Sequence, residues 1–146
     1  MKKNSADLLI CERQAINLEL PIQLTVATAL PKGDRQKWLV EKLVELGASR
    51  LIPLVTQRTV AKPLPQALAR LERSVVESSK QCGRNQLMKI ASPLAVPELI
   101  EQTSPDTLRI VAHPEPVKGE KSMDELLSSP PATGIVLTIG PEGGWT

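Results

Sequence analysis

The sequence predicts an α/β domain: a mostly parallel sheet with helices on both faces. Short segments that are apolar or alternate apolar with polar residues, which is typical of strands, are separated by segments of helical periodicity. Strands and helices that alternate at this spacing form parallel sheets, because each helix carries the chain back across the sheet before the next strand. The last predicted strand, 134–140, is nearly all apolar, as expected of a strand buried on both faces.

The first part of the chain predicts a strand, a helix and a second strand. Residues 22–28 alternate and contain β-branched residues, which predicts a strand. Asp34 as N-cap and Gly47 as stop bound a helix of about 12 residues. The next strand, 51–56, contains Pro53, which favours an edge or an irregular position in the sheet.

The middle of the chain predicts a longer helix over residues 64–82 that ends at Gly83. Its apolar face consists of Leu64, Leu68, Leu71, Val75 and Cys82. Smaller elements complete the pattern: an apolar piece at 88–91, a helix from Pro97 through Ile100, a strand at 108–113, a polar loop at 114–121 and a short helix opened by the capping box Ser122–Glu125.

Composition indicates a globular protein rather than a membrane, secreted or metal-binding one. Apolar residues make up 41% of the 146, and the core must be aliphatic because the chain has no Phe or Tyr and only two Trp. No apolar run approaches the ~18 residues of a membrane span, and the N-terminus does not resemble a secretory signal. Cys11 and Cys82 are too few for a disulfide framework or a zinc site, which indicates a reducing cytoplasm.

Charge is unevenly distributed along the chain. Residues 31–90 contain 12 Lys and Arg against 5 Asp and Glu, although the whole chain carries a net charge of only +2. A basic half on a near-neutral protein is typical of a surface that faces phosphates. Lysine-rich helix surfaces would give the same count, so charge alone leaves nucleic-acid binding open.

Residues 140–144, Gly-Pro-Glu-Gly-Gly, follow the last predicted strand. Adjacent glycines allow backbone N–H groups to approach a ligand closely, and Glu142 places a carboxylate beside them. Ligands bind beyond the carboxyl ends of parallel strands, so we expect a pocket between this turn and residues 112–114 at the end of another strand. The glycines match neither the dinucleotide fingerprint nor the phosphate loop, and an ordinary strand-to-helix turn remains an alternative.

Several other polar residues allow two interpretations each. Arg84, just past the end of the long helix, would either pair with helix carbonyls or contact a phosphate or a base edge. Arg58 and Lys62 follow the second strand and would belong either to a solvated loop or to a phosphate-facing surface. His113, the only histidine, is more typical of a satisfied loop residue than of a base. Cys82 is more typical of a core residue than of a nucleophile.

The order of these motifs resembles the ribosomal RNA small-subunit methyltransferase E family, which belongs to the SPOUT superfamily of knotted methyltransferases. Five segments between residues 22 and 146 carry the resemblance: 41–47 (EKLVELG), 53–62 (PLVTQRTVAK), 81–85 (QCGRN), 112–114 (AHP) and 139–144 (IGPEGG). The Gln-x-x-Arg helix end and the Gly-Pro-Glu-Gly-Gly turn are the most specific of these.

The resemblance implies a homodimeric enzyme that methylates N3 of a uridine in the 16S RNA of the small ribosomal subunit, with S-adenosylmethionine as methyl donor. It implies a SPOUT-like α/β domain whose trefoil-knot loops hold the cofactor. The positions that would line the cofactor site are Ala112, His113, Pro114, Ile139, Gly140, Pro141, Glu142, Gly143 and Gly144. The positions that would face RNA or the dimer cleft are Arg58, Lys62, Gln81 and Arg84. The catalytic residue is unidentified, with Arg84 and Glu142 as candidates, and neither a metal nor a membrane is implied.

Family members are expected to extend beyond this chain at both ends. Residues 1–20 would be the remnant of an N-terminal PUA-like RNA-binding domain, and residues 21–146 a partial SPOUT methyltransferase domain without its C-terminal knot segment. Thr146 is a good N-cap with no helix behind it. We therefore expect the 146-residue chain by itself to be inactive, loosely folded and able to bind a hydrophobic dye, because the last strand would remain partly uncovered.

Two competing functions remain open at this point. One is a non-catalytic RNA-binding module, and the other is a doubly wound nucleotide-binding domain unrelated to methylation. Titration with S-adenosylmethionine, with RNA, and with ATP or NAD would distinguish the three.

Overall fold

The computed structural model describes residues 7–113, 122–128 and 134–145. The strands in these ranges are β1 (Leu24–Thr28), β2 (Arg50–Val55), β3 (Lys89–Ile90), β4 (Leu94–Ala95), β5 (Thr107–Ala112) and β6 (Gly134–Ile139). The helices are α1 (Arg35–Glu45), α2 (Pro65–Cys82), α3 (Val96–Gln102) and α4 (Met123–Leu127). Each helix and strand predicted between residues 22 and 140 is present, and the two-residue strand β4 was not predicted. The polar loop 114–121 lies outside the described residues.

The strands form a parallel sheet in the order β3-β2-β1-β6-β5, and β4 pairs with the end of β2. The last strand along the chain, β6, is inserted between β1 and β5, with Val26 of β1 and Ile110 of β5 both in register with Leu137. The predicted mostly parallel α/β sheet is therefore confirmed. One of its internal strands, β6, comes from the C-terminal part of the described chain.

Helices cover both faces of this sheet. On one face, Val26 of β1 packs with Val40 of α1 and Leu71 of α2 in a single buried cluster. On the other face, Ala27 packs with Leu99 of α3. Neighbouring residues of a strand point to opposite faces, so β1 contributes to both layers of the core. This arrangement confirms the prediction of helices on both faces.

Three details differ from the sequence interpretation. Pro53 lies in an internal strand. It falls between the residues of β2 that pair with β3 and those that pair with β4, so neither β3 nor β4 loses a hydrogen bond because proline lacks an N–H. Cys82 lies in the last turn of α2 and is exposed, because the buried face of the helix ends at Ser78 and Ser79. Leu64 is also exposed, since it is the N-cap rather than part of the packed helix.

The described residues contain neither a membrane-spanning helix nor a cluster of metal-ligating side chains. None of the helices placed in the structure is long and apolar enough to cross a membrane. Within the same ranges, no group of three or more His, Cys, Asp and Glu side chains is arranged to hold a metal ion.

Candidate active site at the carboxyl edge of the sheet

The carboxyl ends of four strands meet at one edge of the sheet. Thr28, the last residue of β1, is in register with Ile139, the last residue of β6. Ile139 is in turn in register with Ala112 at the end of β5, and Thr28 with Pro53 near the end of β2. The loops that follow these strands therefore lie side by side, although they are far apart in sequence.

The chain leaves β1 and β6 toward opposite faces of the sheet. After β1 it enters α1, which packs on the face that contains Val26. After β6 it turns so that Trp145 packs with Ala27 and Leu99 on the other face. Two adjacent parallel strands whose connections diverge in this way open a crevice between their carboxyl ends, which is where open α/β sheets bind ligands.

The turn 140–144 forms one wall of this crevice. The amide of Gly144 donates a hydrogen bond to the carbonyl of Pro141 (2.8 Å), and Gly144 has a φ of 80°, a conformation that favours glycine. A Cβ on Gly140 would lie 2.8 Å from Cε2 of Trp145, so the indole is packed directly on the glycine backbone. The indole Nε1 lies 3.4 Å from the carbonyl oxygen of Ala112, to which it donates. The turn is thereby tied to the end of β5.

Two arginines from other loops bind the same turn. Arg58, in the loop after β2, donates from Nη1 to the carbonyl of Gly143 at 2.5 Å. Arg35, the first residue of α1, places Nη1 at 2.9 Å from Oε1 of Glu142. The Arg35 and Glu142 side chains are 75% and 57% exposed, so solvent screens this ion pair and its net contribution to stability is small. Together, the two arginines hold the turn against the start of α1 and the loop that follows β2.

A cavity of about 200 Å³ lies between the diverging connections. Residues 28–32 line one side, residues 139–142 the other, and Leu39 and Val60 lie between them. Its walls are mainly apolar, with the Lys32 and Glu142 side chains as the charged groups that line it. The cavity therefore offers an apolar slot with charges of both signs.

A second cavity, about 260 Å³, lies on the face of the sheet that carries α3. Its walls are formed by Leu99 and Ile100 of α3, Val111 of β5, Thr138 of β6 and the indole of Trp145. Trp145 therefore contributes to both the carboxyl edge and the apolar surface behind it.

Comparison with known proteins identifies the family to which this architecture belongs. A sequence profile described as an RNA methyltransferase domain matches residues 18–146. The chain belongs to this family. Such a match covers the whole sheet as well as the Gly-Pro-Glu-Gly-Gly turn.

The curated relatives carry one name, ribosomal RNA small subunit methyltransferase E. The protein from Synechocystis is 39% identical over 132 residues, which covers 88% of this chain and 42% of the relative. The protein from Bacillus subtilis is 32% identical over 154 residues, which covers 100% of this chain and 60% of the relative. The chain thus spans about half the length of these relatives.

Solved structures show the same fold. A Legionella pneumophila protein described as a methyltransferase with bound cofactor SAM superposes with a TM-score of 0.76 at 28% identity, over 90% of this chain and 53% of that one. The Neisseria gonorrhoeae ribosomal RNA small subunit methyltransferase E, solved with S-adenosylmethionine, gives a TM-score of 0.79 at 23% identity, over 91% and 55% of the two chains. These comparisons do not favour the RNA-binding module or the unrelated nucleotide-binding domain.

Within this RNA methyltransferase domain, the structure brings together most of the positions expected at the cofactor site. Ala112 and residues 139–144 lie at the carboxyl edge, and His113 follows Ala112 there as an exposed residue. Pro114 lies outside the described residues. Arg58 joins this group through its bond to Gly143, and Lys62 is exposed farther along the same loop.

Arg84 and Gln81 lie at the opposite edge of the sheet. A helix between parallel strands returns the chain to the amino edge, so the C-terminus of α2 is close to the beginning of the strands rather than to their end. Arg84 accordingly borders a surface groove together with Gln23, Arg50 and Lys89 at the amino edge. Gln81 is exposed on the last turn of α2, and its contact with RNA stays a prediction.

The environment of Arg84 is that of a structural residue. It is only 8% exposed, and its Nη1 donates to the carbonyls of Val44 (2.9 Å) and Ala48 (3.0 Å) at the end of α1. Its Nε and Nη2 bind the two carboxylate oxygens of Glu19. This environment does not favour Arg84 as a catalytic residue or RNA contact, and both roles stay predictions. The alternative, pairing with helix carbonyls, applies, although the helix is α1 rather than α2.

Two residues of the site were not singled out from the sequence. Arg35 was overlooked because its partner Glu142 is 107 positions away and nothing in the local pattern connects them. Trp145 could have been found, since it is one of only two aromatic residues in the chain and directly follows the double glycine.

Proposed function

We propose that the protein is an S-adenosylmethionine-dependent methyltransferase that modifies N3 of a uridine in 16S RNA of the small ribosomal subunit. The observation that carries the proposal is the Gly-Pro-Glu-Gly-Gly turn at the divergent carboxyl ends of β1 and β6, in a chain that belongs to the RNA methyltransferase domain family. The common name of the curated relatives supports the choice of the small-subunit RNA as substrate.

The residues at the carboxyl edge are chemically suited to part of the cofactor. S-adenosylmethionine supplies a methyl group bound to a positively charged sulfur. The apolar walls formed by Ile139, Leu39 and Val60 suit the uncharged part of such a ligand, and backbone groups of residues 140–144 suit its polar part. The cavity of about 200 Å³ is smaller than the ~300–1,000 Å³ typical of sites for ligands of this size, so it would hold only a portion of the molecule. Ala112, His113 and Pro114 are proposed to contribute from the end of β5.

The RNA would approach from the loops that follow β1 and β2. Arg35 and Arg58 bind the turn, and Lys32 lines the cavity beside it. Lys62 is a fourth cation, exposed farther along the loop after β2. Cations placed around a pocket mouth attract and orient a polyanion without reading its sequence. Glu142 remains the candidate group for assisting the removal of the N3 proton, since its carboxylate is exposed at the cavity and held by Arg35.

The remaining parts of the proposal concern the complete protein. We infer that it acts in the cytoplasm on ribosomal RNA and that it forms a homodimer. Residues 1–20 are proposed to derive from an N-terminal RNA-binding domain of PUA type, and the chain from residue 21 onward from a knotted methyltransferase domain.

Methyl transfer in a purified system tests the proposal. The complete gene product is incubated with S-adenosylmethionine labelled in its methyl group and with small ribosomal subunits that lack the modification. Label should appear in the 16S RNA, and Lys62→Ala should raise KM for subunits more than it lowers kcat, because a phosphate contact contributes to binding rather than to the chemical step. Absence of label with an enzyme that binds the cofactor would refute the substrate, and absence of cofactor binding would refute the reaction class.

A further inference from the structure

Arg84 is the best-connected charged residue in the described part of the chain. Its side chain is 5% exposed and that of Glu19 is 14% exposed, so the ion pair between them is largely shielded from water. All three guanidinium nitrogens are used: Nε and Nη2 donate to Glu19, and Nη1 donates to the carbonyls of Val44 in α1 and of Ala48 just beyond it. A guanidinium is the only side chain that can bind a carboxylate in a fork and still donate to carbonyls on its other side.

Glu19 belongs to an extended segment, residues 16–20, that lies across the ends of both helices. Asn85, next to Arg84, donates from Nδ2 to the carbonyl of Ile16 at 2.8 Å. Leu20 rests on Gly47 so closely that a Cβ there would lie 2.9 Å from Cγ of Leu20. The segment is therefore held at both ends and through Glu19. Apart from Glu19 its residues are exposed, as are residues 7–15, and what distinguishes it is that contacts with the helix ends begin at Ile16.

The charges at this place favour an acidic anchor. Carbonyls at the C-terminal end of a helix carry partial negative charge and favour a cationic donor. Arg84 donates to the carbonyl of Val44, which also accepts from the amide of Gly47, and to that of Ala48 just beyond α1. This leaves a nearly buried positive charge in need of a carboxylate. Glu19 supplies this carboxylate. A neutral residue at position 19 would leave the cation without its counter-charge.

We propose that the C-terminal ends of α1 and α2 form a docking site for the segment 16–20, with Glu19 as the anchor and Arg84 as its receptor. Docking fixes where the chain enters the domain, at the amino edge of the sheet and away from the crevice at the carboxyl edge. The proposal goes beyond the proposed function and does not depend on it, because it concerns contacts of the chain with itself.

A protease that cuts after glutamate tests the docking in the intact chain. Glu12 lies in the exposed stretch before the segment, and Glu19 is the anchor of the segment. The wild-type chain should therefore be cut after Glu12 long before Glu19, as followed by mass spectrometry. Arg84→Gln should raise the rate of cleavage after Glu19 about tenfold or more, because cleavage follows the population of the released segment. Glu41 and Glu77, inside α1 and α2, report on global unfolding in the same digest.

Two further variants separate docking from general stability. Asn85→Ala removes only an exposed hydrogen bond to the segment and should raise cleavage after Glu19 about twofold to fivefold, with no change at Glu41. Arg73→Gln is the matched control, because Arg73 is an exposed arginine of α2 that bonds only within its own helix, to Ala69. Equal cleavage after Glu12 and Glu19 in the wild type would overturn the proposal. So would faster cleavage in Arg84→Gln that affects Glu41 equally while Asn85→Ala has no effect.

Discussion

Alanine in place of Gly140 tests whether Trp145 is packed on the glycine turn as the structure shows. The new Cβ would lie 2.8 Å from Cε2, 3.0 Å from Nε1 and 3.1 Å from Cδ2 of the indole. Carbon atoms in contact are normally about 3.5–4.0 Å apart, so the ring must move by more than half an ångström, to a place where its bond to the Ala112 carbonyl is lost.

The cost follows from the overpacking of a rigid ring. Adding a methyl group to a filled site costs about 1–3 kcal/mol, which for a chain of this size corresponds to a fall in Tm of about 2–12 °C. Gly143→Ala is the matched control. Its Cβ would lie 3.3 Å from Cδ of Arg58, an exposed and flexible side chain that can move aside, so we expect a change within about 0.5 kcal/mol.

Thermal melting followed by tryptophan fluorescence provides the measurement. Trp38 is 61% exposed, so a Trp38→Phe background leaves Trp145 as the only fluorophore at little cost to stability. In this background Gly140→Ala should lower Tm and shift the emission of Trp145 to the red, since the ring is displaced toward water. An unchanged Tm and emission in Gly140→Ala, or an equal loss in Gly143→Ala, would refute the packing described for the turn.

Three other outcomes follow from the contacts of charged residues. Arg58→Ala should lower the slope of RNA affinity against salt concentration by roughly one unit. Lys80 is an exposed cation at the end of α2, so Lys80→Ala should leave this slope unchanged. If the two variants had the same slope, Arg58 would be excluded from the RNA surface. Removal of either partner of the buried pair Arg84–Glu19 should cost about 3–5 kcal/mol of unfolding free energy in denaturant titrations, and replacement of both should cost less than the sum; strict additivity would show that the two do not interact. Arg35→Ala should change the unfolding free energy by less than about 1 kcal/mol because its ion pair is exposed, so a larger loss would assign it a structural role.

Local patterns were sufficient to predict the elements of the fold. The alternation in 24–28 and the apolar run 134–139 identified strands, because the order of apolar and polar residues along a strand follows which of its faces are buried. Gly83 ended α2 as predicted, since a glycine after the last apolar residue is a local stop. Parallel pairing followed from the alternation of strands and helices.

Contacts between distant parts of the chain could not be predicted in the same way. The insertion of β6 between β1 and β5 depends on how the sheet and the helix layers pack together, and no pattern in the sequence of β6 predicts it. The contacts of Arg84 were not predicted for the same reason, because its carboxylate partner is 65 positions away on a segment without helical or strand periodicity. Ala112 and the turn 140–144 lie together at the carboxyl edge, as a general rule of parallel sheets led us to expect, and their role in binding a cofactor stays a prediction.

Identification of the modified nucleoside tests the central claim most directly. Small ribosomal subunits that lack the modification are treated with the complete gene product and S-adenosylmethionine, and their 16S RNA is digested to nucleosides and separated by liquid chromatography with mass spectrometry. The account predicts that N3-methyluridine appears, that it requires both enzyme and cofactor, and that Lys62→Ala reduces its rate of formation. Methylation at a carbon or ribose position instead, or no methylated nucleoside at all from an enzyme that binds S-adenosylmethionine, would contradict the account.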